Sequence, residues 1–80
     1  MIDIGKVIEA ELRQQERSVV WLARQLGVNR AYVYSIFQKH SLDTDLLMRV
    51  SRALGRNFFA LYHEEMESML GFSDGSVRII

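Results

Sequence analysis

The chain has no cysteine among its 80 residues, so it can form neither a disulfide staple nor a thiolate metal site. No apolar run approaches the roughly 18 residues that a membrane span needs. The opening Met1 to Lys6 has neither the basic start nor the long apolar stretch of an export signal. A reducing cytoplasm is therefore the expected compartment. Net charge is a third absence, because Lys and Arg total 10 and Asp and Glu total 10. No glycine-rich loop is spaced to cradle a phosphate, and no nucleophile and base can be placed on facing elements, which argues against an enzyme. His40, Asp43 and Asp45 lie close together, but two helix-capping acids and a loop histidine account for them. The expectation is no catalytic residue, metal, cofactor or small-molecule site.

What is present suits one small globular domain: 49% of the residues are apolar and 25% charged. A chain of this length buries only about 60 to 65% of its unfolded surface, so its stability should be modest. The domain is expected over residues 1–70, with a tail over 71–80. Charge is unevenly spread along it. Residues 13–56 carry Arg13, Arg17, Arg24, Arg30, Lys39, Arg49, Arg52 and Arg56 against Glu16, Asp43 and Asp45, a surplus of five cations. Residues 1–12 and 57–80 are net acidic, by two and three charges. A basic middle can still meet phosphate, although its long-range steering is weaker than that of a uniformly basic domain.

The chain is organised around Ser18 to Lys39. Val19, Leu22, Ala23 and Leu26 recur at helical spacing, Gly27 stops that helix, and Val33, Ile36 and Phe37 begin another almost at once. Two short helices thus meet across a turn of about three residues. Ala23 is small where helices must approach closely, and Gly27 can take the positive φ of a sharp turn. Ser18 and Asn29 are good N-caps, and Val28 can pack on Val33 as a hydrophobic staple.

This stretch resembles the helix-turn-helix of the lambda-repressor/Cro-like (Xre) family. That pattern has Ala, Gly four residues on and an aliphatic six further, met by Ala23, Gly27 and Val33; Ser18, Leu22, Leu26, Val28 and Ile36 match the surrounding positions. The resemblance runs from about Ile4 to about Leu61 and implies an all-α, five-helix domain that binds double-stranded DNA as a transcriptional regulator. It implies that the helix Arg30 to Lys39 enters the major groove. Arg30, Ala31, Tyr34, Ser35 and Gln38 are then the candidate base contacts, with Arg30 suited to guanine and Gln38 to adenine. Ser18, Val19, Arg24, Asn29, Tyr32 and Lys39 are the candidate phosphate contacts. Departures from the family are informative. Val19 stands where Gln is usual, Leu12 and Phe37 stand where many relatives pair Arg with Glu, and Lys39-His40-Ser41-Leu42 lacks the usual Gly and Pro. Val20 and Trp21 occupy positions that are polar in relatives. Trp21 has three possible places, along a DNA backbone, on another protein, or folded over a neighbouring loop, and the last is favoured.

Of the remaining helices, the first is expected over Asp3 to Gln15, capped by Asp3 and buried through Ile4, Val7, Ile8 and Leu12. Gly5 weakens it by up to about 1 kcal/mol relative to Ala; it resembles the Gly that often stands here in the family, which implies close helix packing. Asp43 should cap a fourth helix to Leu54, stopped by Gly55, with Arg49, Arg52 and Arg56 as a solvated or salt-bridged stripe. Asn57 should cap a fifth, whose stripe of Phe58, Leu61, Tyr62, Met66, Met69 and Leu70 is longer than the core requires. Met66, Met69, Leu70 and Phe72 are the expected dimer seam. Ser76 to Ile80 reads as a short strand or a frayed tail, and the resemblance to Cro-like proteins implies that Val77 to Ile80 can pair with a twin. A homodimer on half-sites about 34 Å apart is expected. The rival reading is a helical protein-interaction module, antitoxin-like or an adaptor, with little or no DNA binding. Neutral charge, Val20 and Trp21 favour it; Arg30, Tyr34, Gln38 and the basic middle favour DNA.

Overall fold

Five apolar stripes at helical spacing become five α-helices in the computed structural model of the chain, which describes residues 1–71. They are α1 (Ile4–Gln14), α2 (Val19–Leu26), α3 (Arg30–Phe37), α4 (Thr44–Leu54) and α5 (Phe59–Leu70). Among the described residues there is no strand, and no helix is long and apolar enough to cross a membrane. The expected strand or tail, Ser76 to Ile80, with its pairing segment Val77 to Ile80, lies outside the described residues, as does Phe72 of the expected dimer seam.

One core joins the elements. Ile4, Ile8 and Leu12 of α1 meet Leu22, Ala23 and Leu26 of α2, Val33, Ile36 and Phe37 of α3, and Leu46, Leu47, Val50 and Leu54 of α4. Phe58, fully buried, closes this core just before α5. Within the described residues no polar or charged side chain is buried. Leu12 and Phe37 are 3% and 2% exposed. The two positions at which the resembling family pairs Arg with Glu are thus apolar core, and no ion pair has to be desolvated there.

The helix ends follow from local chemistry. Ser18 Oγ accepts the Trp21 N–H at 3.0 Å, Asn29 Oδ1 accepts that of Tyr32 at 2.8 Å, and Asp43 Oδ1 accepts that of Leu46 at 2.8 Å. Gly27 and Gly55 stop α2 and α4 in the left-handed conformation, at φ 69° and 64°. The start of α1 differs from expectation, because the Asp3 side chain makes no cap hydrogen bond. The loop after α3 supplies the acceptors instead: the Gly5 N–H donates to the Lys39 carbonyl at 3.0 Å and that of Ile4 to His40 at 3.4 Å. The Asp3 carboxylate lies 3.4 Å from His40 Nδ1 across the same junction.

A second difference follows from that junction. The third helix was expected to reach Lys39 but stops at Phe37, with Gln38 as its C-cap. The Gln38 and Lys39 N–H groups close on the Ser35 and Ile36 carbonyls, and the chain then turns towards α1. Gly5 makes the approach possible. A Cβ placed there would lie 2.5 to 2.6 Å from the carbonyl oxygens of Ile36, Phe37 and Lys39. Between α1 and α2, Glu16 takes φ 57°, a left-handed turn made without glycine.

Candidate nucleic-acid interface

The exposed side of α3 is fixed by its buried side. Val33, Ile36 and Phe37 are in the core, so Arg30, Ala31, Tyr34 and Ser35 face outward, and all four are exposed. Gln38 is exposed at the C-cap and Lys39 just beyond it. All five candidate base contacts therefore lie on the surface, four on the helix and Gln38 at its end.

Their free chemistry is unequal. Arg30 makes no side-chain hydrogen bond or ion pair within the described residues, so its five donors face solvent. Tyr34 is 56% exposed. Its ring meets Phe37 edge to face at a centroid distance of 6.1 Å, which anchors one side of the ring to the core. Ser35 Oγ donates to the Tyr32 carbonyl at 2.6 Å, so its proton is committed and only acceptor lone pairs are left for a ligand. Ala31 offers a methyl group.

The candidate phosphate contacts lie on α2, at the N-caps of α2 and α3, and on Tyr32 and Lys39. The first two amides of α2, on Val19 and Val20, have no intrahelical acceptor, while Ser18 caps Trp21. The Val19 side chain is half-buried against the core, so only its backbone can serve an anion. Asn29 spends its carbonyl oxygen on the cap and keeps its amide as a donor. Tyr32 is exposed, with Lys39 Nζ 5.7 Å from its ring centroid. Arg24 is exposed on α2.

From Arg17 to Leu42 the chain contains no Asp or Glu, and it carries Arg17, Arg24, Arg30 and Lys39. None of these four has a carboxylate within 4.0 Å among the described residues. One acid reaches this stretch from outside, the Asp3 carboxylate 3.4 Å from His40 Nδ1, and the arginine ion pairs lie elsewhere. Arg13 meets Glu9 at 3.1 Å, and Arg56 meets Glu11 at 2.7 Å. Neutrality of the chain therefore hides a local imbalance, with four cations on α2, α3 and the loops beside them that have no carboxylate within 4.0 Å among the described residues.

Three features of this region were not anticipated from the residues alone. The Arg17 guanidinium stacks 4.0 Å above the Trp21 ring, which fixes the half-buried indole at the rim of α2. Their spacing of four was the available signal. The Arg49 guanidinium donates to the Leu26 carbonyl, supporting the end of α2 from α4. Glu11, from α1, gathers Gln15 Nε2 at 2.9 Å and Arg56 at 2.7 Å, while the same Gln15 amide reaches the Leu54 carbonyl at 2.7 Å. Those hydrogen bonds, the one from Gln15 foremost, hold the Glu11 carboxyl below its ordinary value of 4.5.

Arg49 and Arg52, with Gln25 and Ala53, line an open polar cleft of about 350 Å³ between α2 and α4. Among the described residues no group of three or more His, Asp or Glu side chains is placed to hold a metal ion. No family model, curated protein or solved structure matches the chain.

Proposed function

We propose that this protein is a sequence-specific DNA-binding regulator of the lambda-repressor/Cro-like class, with α2 and α3 as its helix-turn-helix. In this reading α3 lies in the major groove. The observation that carries it is a stretch without Asp or Glu, Arg17 to Leu42, whose exposed α3 face presents an unpaired Arg30 beside Ala31, Tyr34 and Gln38. Arg30 reads guanine through O6 and N7, Gln38 or Tyr34 contacts the next bases, and Ala31 meets a thymine methyl. Arg17, Arg24, Lys39, the Asn29 amide and the free amides of α2 hold phosphates and set the register. Because one such helix covers only a half-site, two copies act together on sites about 34 Å apart.

Selection of bound sequences from random duplex DNA tests this reading. Enrichment of a two-fold-related motif containing guanine is the expected result; no enrichment after repeated rounds overturns it. A second reading, a protein-interaction module, is favoured by one specific observation: Met66, Met69 and Leu70 are more than half exposed on α5. That reading predicts no enriched sequence and no dependence on Arg30.

A further inference from the structure

The side of α4 next to the end of α2 carries more positive charge than the fold pairs. Arg49 and Arg52 are three residues apart on α4, neighbours on one side of the helix, and Arg56 follows just beyond its end. Arg56 is taken by Glu11 at 2.7 Å. Arg49 commits one guanidinium nitrogen to the carbonyl of Leu26, the last residue of α2. Arg52 has no side-chain hydrogen bond among the described residues, and neither it nor Arg49 has a carboxylate within 4.0 Å there. Asp45, one turn before Arg49, is therefore not its partner. Like charges this close on a helix repel each other, and no ion pair offsets that repulsion.

Both arginines line the open polar cleft of about 350 Å³, with Ala53 from α4 and Gln25 from α2. Gln25 is exposed and makes no side-chain hydrogen bond among the described residues, so its amide is a free donor. Two guanidinium groups and an amide thus border one polar space from two helices. None of the candidate DNA contacts lines it. Charge and shape select the ligand. A single carboxylate brings one charge and two oxygens in one plane. A phosphoryl group brings nearly two charges and three acceptor oxygens that point in different directions, so it can take donors from α4 and α2 together. The cleft has the volume of on the order of ten waters, which leaves room for an ester substituent beside that group.

We propose that this cleft binds a small phosphomonoester, with Arg49, Arg52 and Gln25 as the donors to its phosphoryl oxygens. The Leu26 carbonyl holds Arg49 in place, so less side-chain freedom is lost when the ligand enters. The site contradicts the expectation of no small-molecule ligand, because its residues meet only when α2 packs on α4. Titration of the full chain with glycerol phosphate, followed by amide and guanidinium NMR shifts at constant ionic strength, reads it directly. Saturable shifts centred on Gln25, Arg49, Arg52 and Ala53 are expected, with acetate at least tenfold weaker. Affinity should rise severalfold from about pH 5 to 7.5, as the ester passes its second pKa of about 6 and gains its second charge. Arg52→Gln should weaken binding by about tenfold or more, with helical circular dichroism unchanged because the side chain is exposed and unbonded. Shifts that do not saturate, equal affinity for acetate, or an Arg52→Gln variant that binds as wild type overturn the proposal. Saturable shifts centred on Arg30 and Lys39 do so too, by placing the anion on α3. Should Arg52→Gln weaken duplex DNA binding while glycerol phosphate gives no saturable shift, the cleft serves the DNA backbone and the proposal is overturned. The site is independent of sequence recognition: a chain that enriches no DNA sequence yet binds the ester in this cleft leaves it standing.

Discussion

Gly5 shows how a single position sets a helix junction. In an exposed helix, replacing Gly by Ala adds about 1 kcal/mol of stability. Here the added methyl would stand 2.5 to 2.6 Å from three backbone carbonyl oxygens, which cannot rotate aside. Overpacking of this kind costs typically about 1 to 3 kcal/mol and outweighs the propensity gain. Gly5→Ala is therefore expected to lower stability by about 1 kcal/mol net, measured as a fall in the urea midpoint; a rise in the midpoint would show that the α1 to α3 contact is loose. The need for close packing at Gly5 was legible only through the family resemblance, since the residue alone signals just a propensity cost. Its partners, the carbonyls of the α3 loop, were not, because backbone acceptors leave no mark in side-chain identity. Trp21 was harder to place. Its indole takes Arg17 as a lid, and an Arg four residues away has many other possible partners.

At the level of helices, termini were the most legible feature wherever a cap side chain acts locally. Ser18, Asn29 and Asp43 each bond an amide three residues on, and Gly27 and Gly55 each supply positive φ. Where tertiary structure supplies the partner, local reasoning missed: Asp3 leaves its cap role to the Lys39 and His40 carbonyls, and α3 ends two residues early for the same reason. Such caps are worth about 1 kcal/mol each. Asn29→Ala should thus lower the unfolding free energy by about that amount and, by fraying the first turn of α3, weaken DNA binding further than the stability loss alone explains. The check is chemical denaturation beside duplex titration of the same variant. Equal DNA affinity in a destabilised Asn29→Ala would separate the cap from recognition.

Across the whole molecule, the same residues that make the chain neutral divide it electrostatically. Acids on α1 and α5 leave α2 and α3 with cations only. One acid also ties the fold together, since Glu11 joins α1 to Arg56 beyond α4. Its carboxyl is held below its ordinary 4.5 in the folded state by the Gln15 and Arg56 hydrogen bonds, so the unfolded chain binds its proton first as pH falls. This contribution to stability is complete above about pH 4.5 and is lost as pH falls through the depressed folded-state value. Denaturation midpoints should accordingly fall below that pH, and Glu11→Gln should flatten part of the fall while costing about 1 kcal/mol at neutral pH. An unchanged acid limb in Glu11→Gln would mean that other carboxylates govern it. The segment-by-segment charge count made the basic middle legible in advance. Which cations stay unpaired required the fold, because the Arg56 to Glu11 contact spans 45 residues.

The most direct test is the affinity of wild type and Arg30→Ala for a selected duplex and a scrambled one, titrated across salt concentration. With Arg17, Arg24, Arg30 and Lys39 available to phosphate or base, log affinity should fall with log salt at a slope of up to about −4 per domain. Arg30→Ala should lose about 1 to 3 kcal/mol on the selected duplex and much less on the scrambled one. A flat salt dependence, or equal losses on both duplexes, would contradict the claim that the outer face of α3 reads bases.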